Sequence, residues 1–154
     1  MALARVATCN LNQWAMDFDG NLQRTLASCT EAKLAGARYR VGPELELSGY
    51  SCEDHFLEHD TTYHCCESLG AIVASGVSDG MLVDVGLPFA YDACLYNCRA
   101  LILNGKIVLI RAKTALADDL CYRESRWFAA WTPQRLERVQ LQLPMRWQDT
   151  RRRP

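Results

Sequence analysis

The order of elements that the sequence predicts indicates an α/β fold. An apolar strand, an amphipathic helix and a second strand follow one another over residues 5–41. This order is typical of parallel strands joined by a crossover helix. Further along, Asn104-Gly105 separates two β-prone runs, and this dipeptide is the strongest short-range signal for a β-hairpin. The prediction is therefore an α/β fold with parallel strands and one hairpin.

Length and charge narrow the class of protein. The chain has 154 residues, of which 49% are apolar, and this length favours one domain with a buried core. Its 17 basic and 18 acidic residues give a net charge of −1, which excludes a global basic field for nucleic acid. No apolar run reaches the roughly 18 residues of a membrane span, and the first residues lack the apolar core of a secretory signal. We therefore predict no nucleic-acid partner and no membrane association.

The first elements are predicted from periodicity and capping residues. Residues 5–9 form a short apolar run that predicts a buried first strand. Asp19 is the predicted N-cap of the following helix, and Gly36 its C-terminal stop. Residues 37–41 predict the second strand, which Gly42-Pro43 ends. One face of the helix is lined by Leu22, Leu26, Cys29 and Ala32.

The next elements complete the predicted fold. Residues 49–60 predict an irregular loop of the kind that forms active sites, and residues 61–75 a second helix. Residues 81–86 predict a strand, and residues 93–103 and 106–111 the two strands of the hairpin. The buried side of the second helix is predicted to carry Leu69, Ile72 and Val73.

The eight cysteines lie within apolar patterns rather than in turn-rich loops. Their share of the chain is below the roughly 8–10% that is typical of disulfide scaffolds. Since no secretory signal precedes them, we interpret them as reduced thiols of a cytoplasmic protein, mostly small core residues. They are Cys9, Cys29, Cys52, Cys65, Cys66, Cys94, Cys98 and Cys121.

Two charged residues follow predicted strands. Glu44 comes directly after Pro43 at the end of the second strand, and Lys113 follows the apolar run of the last strand. Ligands of open α/β sheets bind beyond the carboxyl ends of strands, so Glu44 is a candidate general base and Lys113 a candidate oxyanion donor. The alternative interpretation is that both are solvated side chains on the surface.

Potential metal ligands cluster between residues 52 and 66 without the spacing of a known metal site. Structural zinc sites pair Cys-x2–4-Cys with a second pair of Cys or His ligands. Here the vicinal pair Cys65-Cys66 is a poor tetrahedral chelate, so we predict no metal. The residues concerned are Cys52, His55, His59, His64, Cys65 and Cys66.

Two later segments have unusual composition. Residues 122–128, YRESRWF, mix aromatic and charged side chains, and they either bind a polar substrate or anchor the chain by packing. Residues 132–154 contain six arginines against two acids. This tail is either a local patch for nucleic acid or membrane, or a solvated or foreign end; we favour the solvated end.

Four runs bring these features together. They are VATCNLNQWAMDFDGNLQR, GARYRVGPELELSGYSCEDH, YNCRALILNGKIVLIRAKTALA and YRESRWFAAW, and they lie between residue 5 and about residue 131. In this order they resemble the amino-terminal glutaminase domain of glutamine-dependent NAD synthetases, which belong to the nitrilase, or carbon–nitrogen hydrolase, superfamily. The resemblance implies part of an α-β-β-α sandwich.

The resemblance also implies a chemistry. In that family a cysteine thiolate attacks the side-chain amide of glutamine, forms a thioester and releases ammonia. By position Glu44 matches the general base, Lys113 the oxyanion-holding and positioning lysine, and Tyr122 a residue associated with glutamine binding. The ammonia amidates deamido-NAD in a separate, ATP-dependent synthetase domain. This chain is accordingly expected to hold no cofactor of its own.

The departures from the family pattern set further expectations. The family's nucleophile lies well downstream of the lysine, whereas only Cys121 follows Lys113 here, in a different context. We therefore expect a partial glutaminase domain at residues 1–131, a divergent tail at 132–154, no synthetase domain and no activity of the chain alone. The alternative is a truncated, non-catalytic form that pairs with itself or with full-length subunits.

Overall fold

A computed structural model describes residues 3–132 of the chain. The strands are β1 (Val6–Thr8), β2 (Tyr39–Val41), β3 (Leu82–Tyr91), β4 (Cys94–Leu103) and β5 (Lys106–Ala112). The helices are α1 (Phe18–Leu34) and α2 (His59–Ala74), with short 3₁₀ helices at Glu53–Leu57 and Glu124–Arg126. No helix in the described range is long and apolar enough to cross a bilayer. Beyond its first residue, the predicted basic tail lies outside this range.

The five strands form one mixed sheet in the order β1-β2-β3-β4-β5. The pairs β1–β2 and β2–β3 are parallel, whereas β3–β4 and β4–β5 are antiparallel. Asn104 (φ 50°) and Gly105 (φ 67°) both have positive φ between β4 and β5, as a tight hairpin turn requires. The predicted α/β fold and its hairpin are confirmed.

The core lies between one face of the sheet and the two helices. Cys29 and Ala32 of α1 are buried, and Leu22 and Leu26 are partly buried against the same cluster, so the predicted face of the first helix is confirmed. The predicted buried side of α2 is confirmed as well. The remaining core members include Leu69, Ile72, Val73, Val83, Val85, Leu87, Cys98, Ala100 and Ile102.

Several predicted details are wrong. The first strand is not buried, because β1 has a neighbour on one side only, and Val6 is 55% exposed. The N-cap of α1 is Asp17 rather than Asp19, since the Asp17 carboxylate accepts a hydrogen bond from the backbone N–H of Gly20 at 3.2 Å. The strand predicted at 81–86 continues to Tyr91, because β4 pairs with β3 along its whole length.

All eight cysteines are free thiols in the structure. Cys98 packs in the core, whereas Cys94, four residues earlier on β4, is exposed and is not a core residue. Burial raises the pKa of Cys29 to about 11 and that of Cys98 to about 12. These thiols are protonated at neutral pH and act as small apolar side chains.

Candidate active site

The segment that follows β2, residues 42–49, carries Glu44 and is here called the Glu44 loop. It lies across the edge of the sheet, where the backbone N–H of Gly42 donates to the Asp84 carbonyl at 3.1 Å and that of Leu47 to the Gly86 carbonyl at 3.0 Å. Leu45 has a φ of 50°, a left-handed conformation that turns the chain sharply after Glu44. Glu44 is thus held at the carboxyl end of β2.

Lys113 meets Glu44 at that edge. Because β4 is antiparallel to both β3 and β5, β5 runs in the direction of β2, and the two strands end on the same side. The Lys113 ammonium donates to Glu44 Oε1 at 2.9 Å. The two side chains are about one-third exposed, at 33% and 38%. The structure therefore brings together the two charged residues that the sequence placed at strand ends.

Asn97 and Glu124 complete the charged cluster. Glu124 Oε2 accepts a hydrogen bond from Lys113 Nζ at 2.7 Å and another from the backbone N–H of Ala117 at 2.7 Å. The Asn97 amide donates to Glu44 Oε1 at 2.5 Å and to Glu124 Oε1 at 2.7 Å. Sequence reasoning did not assign Asn97 to the site, and it included Glu124 only as part of the segment 122–128. The signal was a polar residue, Asn97, in the middle of a strand that is otherwise largely apolar.

The cluster shifts the ionisation of its own members. Partial burial acts to lower the pKa of Lys113, but hydrogen bonds to Glu124 and Glu44 outweigh it and raise that pKa above its ordinary value. Burial likewise acts to raise the pKa of Glu124, but the hydrogen bonds from Lys113, Ala117 and Asn97 bring it below its ordinary value. Lys113 is therefore an ammonium and Glu124 a carboxylate at neutral pH.

The lowered pKa of Glu124 predicts a pH-dependent contribution to stability. A depressed carboxyl pKa stabilises the fold above the ordinary value of 4.5, and this contribution is lost as the pH falls through the folded-state pKa. We expect Glu124→Gln to cost about 1–2 kcal/mol at neutral pH and progressively less towards about pH 3. Urea unfolding across this range measures it, with Glu31→Gln on the exposed side of α1 as the control. A cost that stays constant with pH would contradict it.

A cavity of about 150 Å³ opens beside the charged cluster. One wall comes from residues 50–56 and the other from residues 121–128. The Asp54 carboxylate joins the walls, since it accepts hydrogen bonds from the Arg126 guanidinium at 2.6 and 2.8 Å and from Trp127 Nε1 at 3.0 Å. Phe56 packs against Phe128 with ring centroids 4.9 Å apart. The predicted loop and the aromatic, charged segment thus form one site.

Tyr122 and Cys121 both lie in the wall of this cavity. The Tyr122 side chain is 48% exposed, and Cys121 is exposed as well. Among the residues that line the cavity within the described range, Cys121 is the one cysteine. Sequence reasoning treated it as unrelated to the site, and the structure places it within the same cavity wall as Glu124.

Three of the six potential metal ligands contact other groups. The buried Cys52 thiol donates to the Ser48 carbonyl at 3.1 Å. His55 and His64 contact Glu58 and Glu67, each three residues further on, at 3.0 and 3.1 Å. Between residues 3 and 132, the structure contains no group of three or more His, Cys, Asp or Glu side chains that could hold a metal ion.

Comparisons with known proteins match this chain to carbon–nitrogen hydrolases and glutamine-dependent NAD(+) synthetases. A family model described as carbon–nitrogen hydrolase matches residues 5–152. A glutamine-dependent NAD(+) synthetase from Oryza sativa is 58% identical over 132 residues, which cover 86% of this chain and 18% of that protein. One from Homo sapiens is 55% identical over 130 residues, 84% of this chain and 18% of that protein. The chain thus spans about one-fifth of the length of these relatives.

Solved structures agree with the sequence comparisons. A glutamine-dependent NAD(+) synthetase from Cytophaga hutchinsonii superposes with a TM-score of 0.81 at 32% identity, over 86% of this chain and 22% of that one. An amidase from Nesterenkonia superposes with a TM-score of 0.71 at 17% identity, over 84% of this chain and 49% of that one. At that identity the amidase supports the fold alone.

Proposed function

The chain belongs to the carbon–nitrogen hydrolase family, and from this premise we propose that it forms part of a glutamine amidohydrolase site, of the kind that supplies ammonia for NAD synthesis. The observation that carries the proposal is the 2.9 Å contact between Lys113 Nζ and Glu44 Oε1 beside the cavity. The substrate follows from the relatives, which are glutamine-dependent NAD(+) synthetases.

Glu44 is proposed as the general base. Within the described residues, both hydrogen bonds that it accepts, from Lys113 and Asn97, end on Oε1. Its second oxygen, Oε2, is therefore available to take a proton from an attacking thiol and later from water. Because Lys113 keeps the carboxylate oriented, little reorganisation is needed when the proton moves.

Lys113 and Tyr122 are proposed to act on the substrate. The Lys113 ammonium can stabilise the oxyanion that develops on the amide carbonyl oxygen when the carbon is attacked, since Glu124 holds the ammonium in place at 2.7 Å. Tyr122, half exposed in the cavity wall, is proposed to contact the bound glutamine. We propose no cofactor for this chain; ATP and deamido-NAD belong to the synthetase reaction.

We propose that none of the eight cysteines is the attacking thiol. Burial raises the pKa of Cys29 and Cys66 to about 11 and that of Cys98 to about 12, whereas a nucleophilic cysteine needs a depressed pKa or an adjacent base. Cys121 lines the cavity, but it lies only three residues before Glu124 and nearer to Lys113 in sequence than the family pattern places its nucleophile.

An ammonia assay tests the proposal that the chain has no attacking thiol. We expect the purified chain to release no ammonia from glutamine above the buffer rate, with the same result for Glu44→Gln and Cys121→Ala. The human relative, assayed in parallel, is the positive control. Turnover that both substitutions abolish would identify Cys121 as the nucleophile, and turnover that only Glu44→Gln abolishes would point to another cysteine. Either result would overturn the proposal.

A non-catalytic role in pairing with full-length subunits is the second candidate. It is favoured by Val6 and Val108, which are 55% and 54% exposed on the outer strands β1 and β5, since exposed apolar strand edges invite partners. Sedimentation of the chain with and without a full-length relative distinguishes a chain that pairs from one that stays monomeric. A single species at the mass of the chain alone would count against pairing.

A further inference from the structure

The guanidinium of Arg99, on β4, lies directly beneath the start of the Glu44 loop. Its Nη1 donates to the Pro43 carbonyl at 2.7 Å and its Nη2 to the Gly42 carbonyl at 3.1 Å. We infer that Arg99 is a positioning residue for Glu44, because it holds the two carbonyls that immediately precede the proposed base. This inference rests on the proposed function, since the position of Glu44 matters for catalysis only there.

Arg99 is itself fixed by Asp84, its neighbour on β3. Arg99 Nε donates to Asp84 Oδ1 at 2.7 Å, and Nη2 also donates to the Asp84 carbonyl at 3.2 Å. The other Asp84 oxygen accepts a hydrogen bond from the Tyr39 hydroxyl at 2.5 Å. The side chains of Arg99 and Asp84 are 26% and 9% exposed. Because all three nitrogens of the planar guanidinium donate hydrogen bonds, its orientation is fixed, and in this orientation it reaches both loop carbonyls.

The residue opposite Arg99 on β3 is a glycine, which allows the Glu44 loop to pack directly against the sheet. Gly86 is the partner of Arg99 in the β3–β4 register. A Cβ atom at Gly86 would lie 2.5 Å from the Leu45 nitrogen and 2.7 Å from the Pro43 carbonyl oxygen. Both are backbone atoms, so the loop could not rest on the sheet if this residue had a side chain. The Glu44 loop therefore packs against the sheet at the Gly86–Arg99 pair.

Arg99 and Gly86 fix the backbone of the Glu44 loop, whereas Asn97 fixes the Glu44 carboxylate. Asn97 and Arg99 are two residues apart on β4 and so point to the same face. Asn97 contacts the Glu44 carboxylate itself, whereas Arg99 reaches only the preceding backbone. The Glu44–Lys113 pair is about one-third exposed, and such pairs are too weak to hold a loop by themselves. Loss of Arg99 should therefore let Glu44 move away from Lys113.

Lysine labelling tests the inference without any turnover. The chain has three lysines, Lys33, Lys106 and Lys113, so mass spectrometry after trace acetylation reports the reactivity of each. We expect Arg99→Gln to raise the ratio of Lys113 to Lys106 labelling about threefold, because Lys113 loses one of its two carboxylate partners and a larger fraction is free amine. Removing a nearby positive charge alone would lower that ratio.

Three further variants decide the cause. Arg111→Gln is the matched control, since Arg111 is exposed and opposite Arg99 in the β4–β5 register; it also removes a positive charge near Lys113 and should give no rise in the ratio. In a Glu44→Gln background, Arg99→Gln should give no further rise in the ratio, because the rise acts through Glu44. Arg99→Lys keeps the charge, but one ammonium cannot span Asp84 and both carbonyls, so the ratio should rise here too.

Each contrary result has a defined meaning. An unchanged ratio in Arg99→Gln, or an equal rise in the Glu44→Gln background, would overturn the inference. So would a wild-type ratio in Arg99→Lys, which also serves as the test if circular dichroism shows that Arg99→Gln fails to fold. Failure of the proposed function would appear instead in the glutamine-dependent NAD formation of a chimera that carries residues 5–131 within the human relative, with the labelling ratios of this chain unaffected.

Discussion

Replacing Glu46 by alanine is expected to lower the free energy of unfolding by about 3–5 kcal/mol, because it leaves a buried arginine without its counter-ion. Arg40 and Glu46 are both 0% exposed, with the Arg40 Nη2 to Glu46 Oε1 distance at 2.5 Å. A second bond joins Arg40 Nη1 to Glu46 Oε2 at 2.9 Å. Since domains of this size are stable by about 5–15 kcal/mol, this loss would remove at least about one-fifth of the stability and up to all of it.

The pair matters because it joins three parts of the chain. Thr25 of α1 donates its hydroxyl to Glu46 Oε1 at 2.9 Å, and Arg40 Nη2 donates to the Ser28 hydroxyl of the same helix at 2.6 Å. Burial acts to lower the pKa of Arg40, but the hydrogen bonds and charge of Glu46 outweigh it and raise that pKa. Arg40 therefore stays charged, and the cost of losing Glu46 cannot be avoided by deprotonation.

Urea unfolding measures this loss, and the double variant Arg40→Met/Glu46→Leu separates its causes. Removing both charges leaves no unpaired ion, so the double variant should regain most of the stability that Glu46→Ala loses. Glu31→Ala, on the exposed side of α1, is the control for the loss of a carboxylate. A loss below about 1 kcal/mol in Glu46→Ala would show that water or another group compensates Arg40.

The placement of Glu44 and Lys113 could be predicted because it follows from local signals. Gly42-Pro43 ends one strand and the apolar run before Lys113 forms another, and both signals are legible within a few residues. That the two strands end on the same edge depends on the hairpin at Asn104-Gly105, which was also legible. The 2.9 Å contact between the side chains is the consequence.

The partners that hold these residues could not be predicted, because each contact is non-local. In the sequence, Glu46 resembles a second loop carboxylate. Only the fold shows that Arg40 lies against it. Asn97 meets Glu44 across 53 positions of sequence and Arg99 meets Pro43 across 56. The apolar pattern of β1 likewise shows a strand but not its place at the open edge of the sheet.

The largest catalytic effect is expected from Glu44→Gln in a chimera. Residues 5–131 would replace the matching segment of the human relative, with which this chain shares 55% identity over 130 residues. Glutamine preserves the size of the side chain and can still accept the hydrogen bond from Lys113, but it cannot take up a proton. We expect NAD formation from glutamine to fall by about 10²–10⁴-fold, the range that a general base contributes.

Free ammonia provides the internal control for that chimera. It bypasses the glutaminase step, so the Glu44→Gln chimera should form NAD from ammonium at the rate of the unsubstituted chimera. Glu31→Gln should leave both rates unchanged, because that carboxylate lies on the exposed side of α1. Equal losses with both nitrogen sources would make Glu44 a structural residue, and no loss with glutamine would remove it from the reaction. Only a selective loss with glutamine fits a carboxylate that Lys113 and Asn97 hold ready for proton transfer.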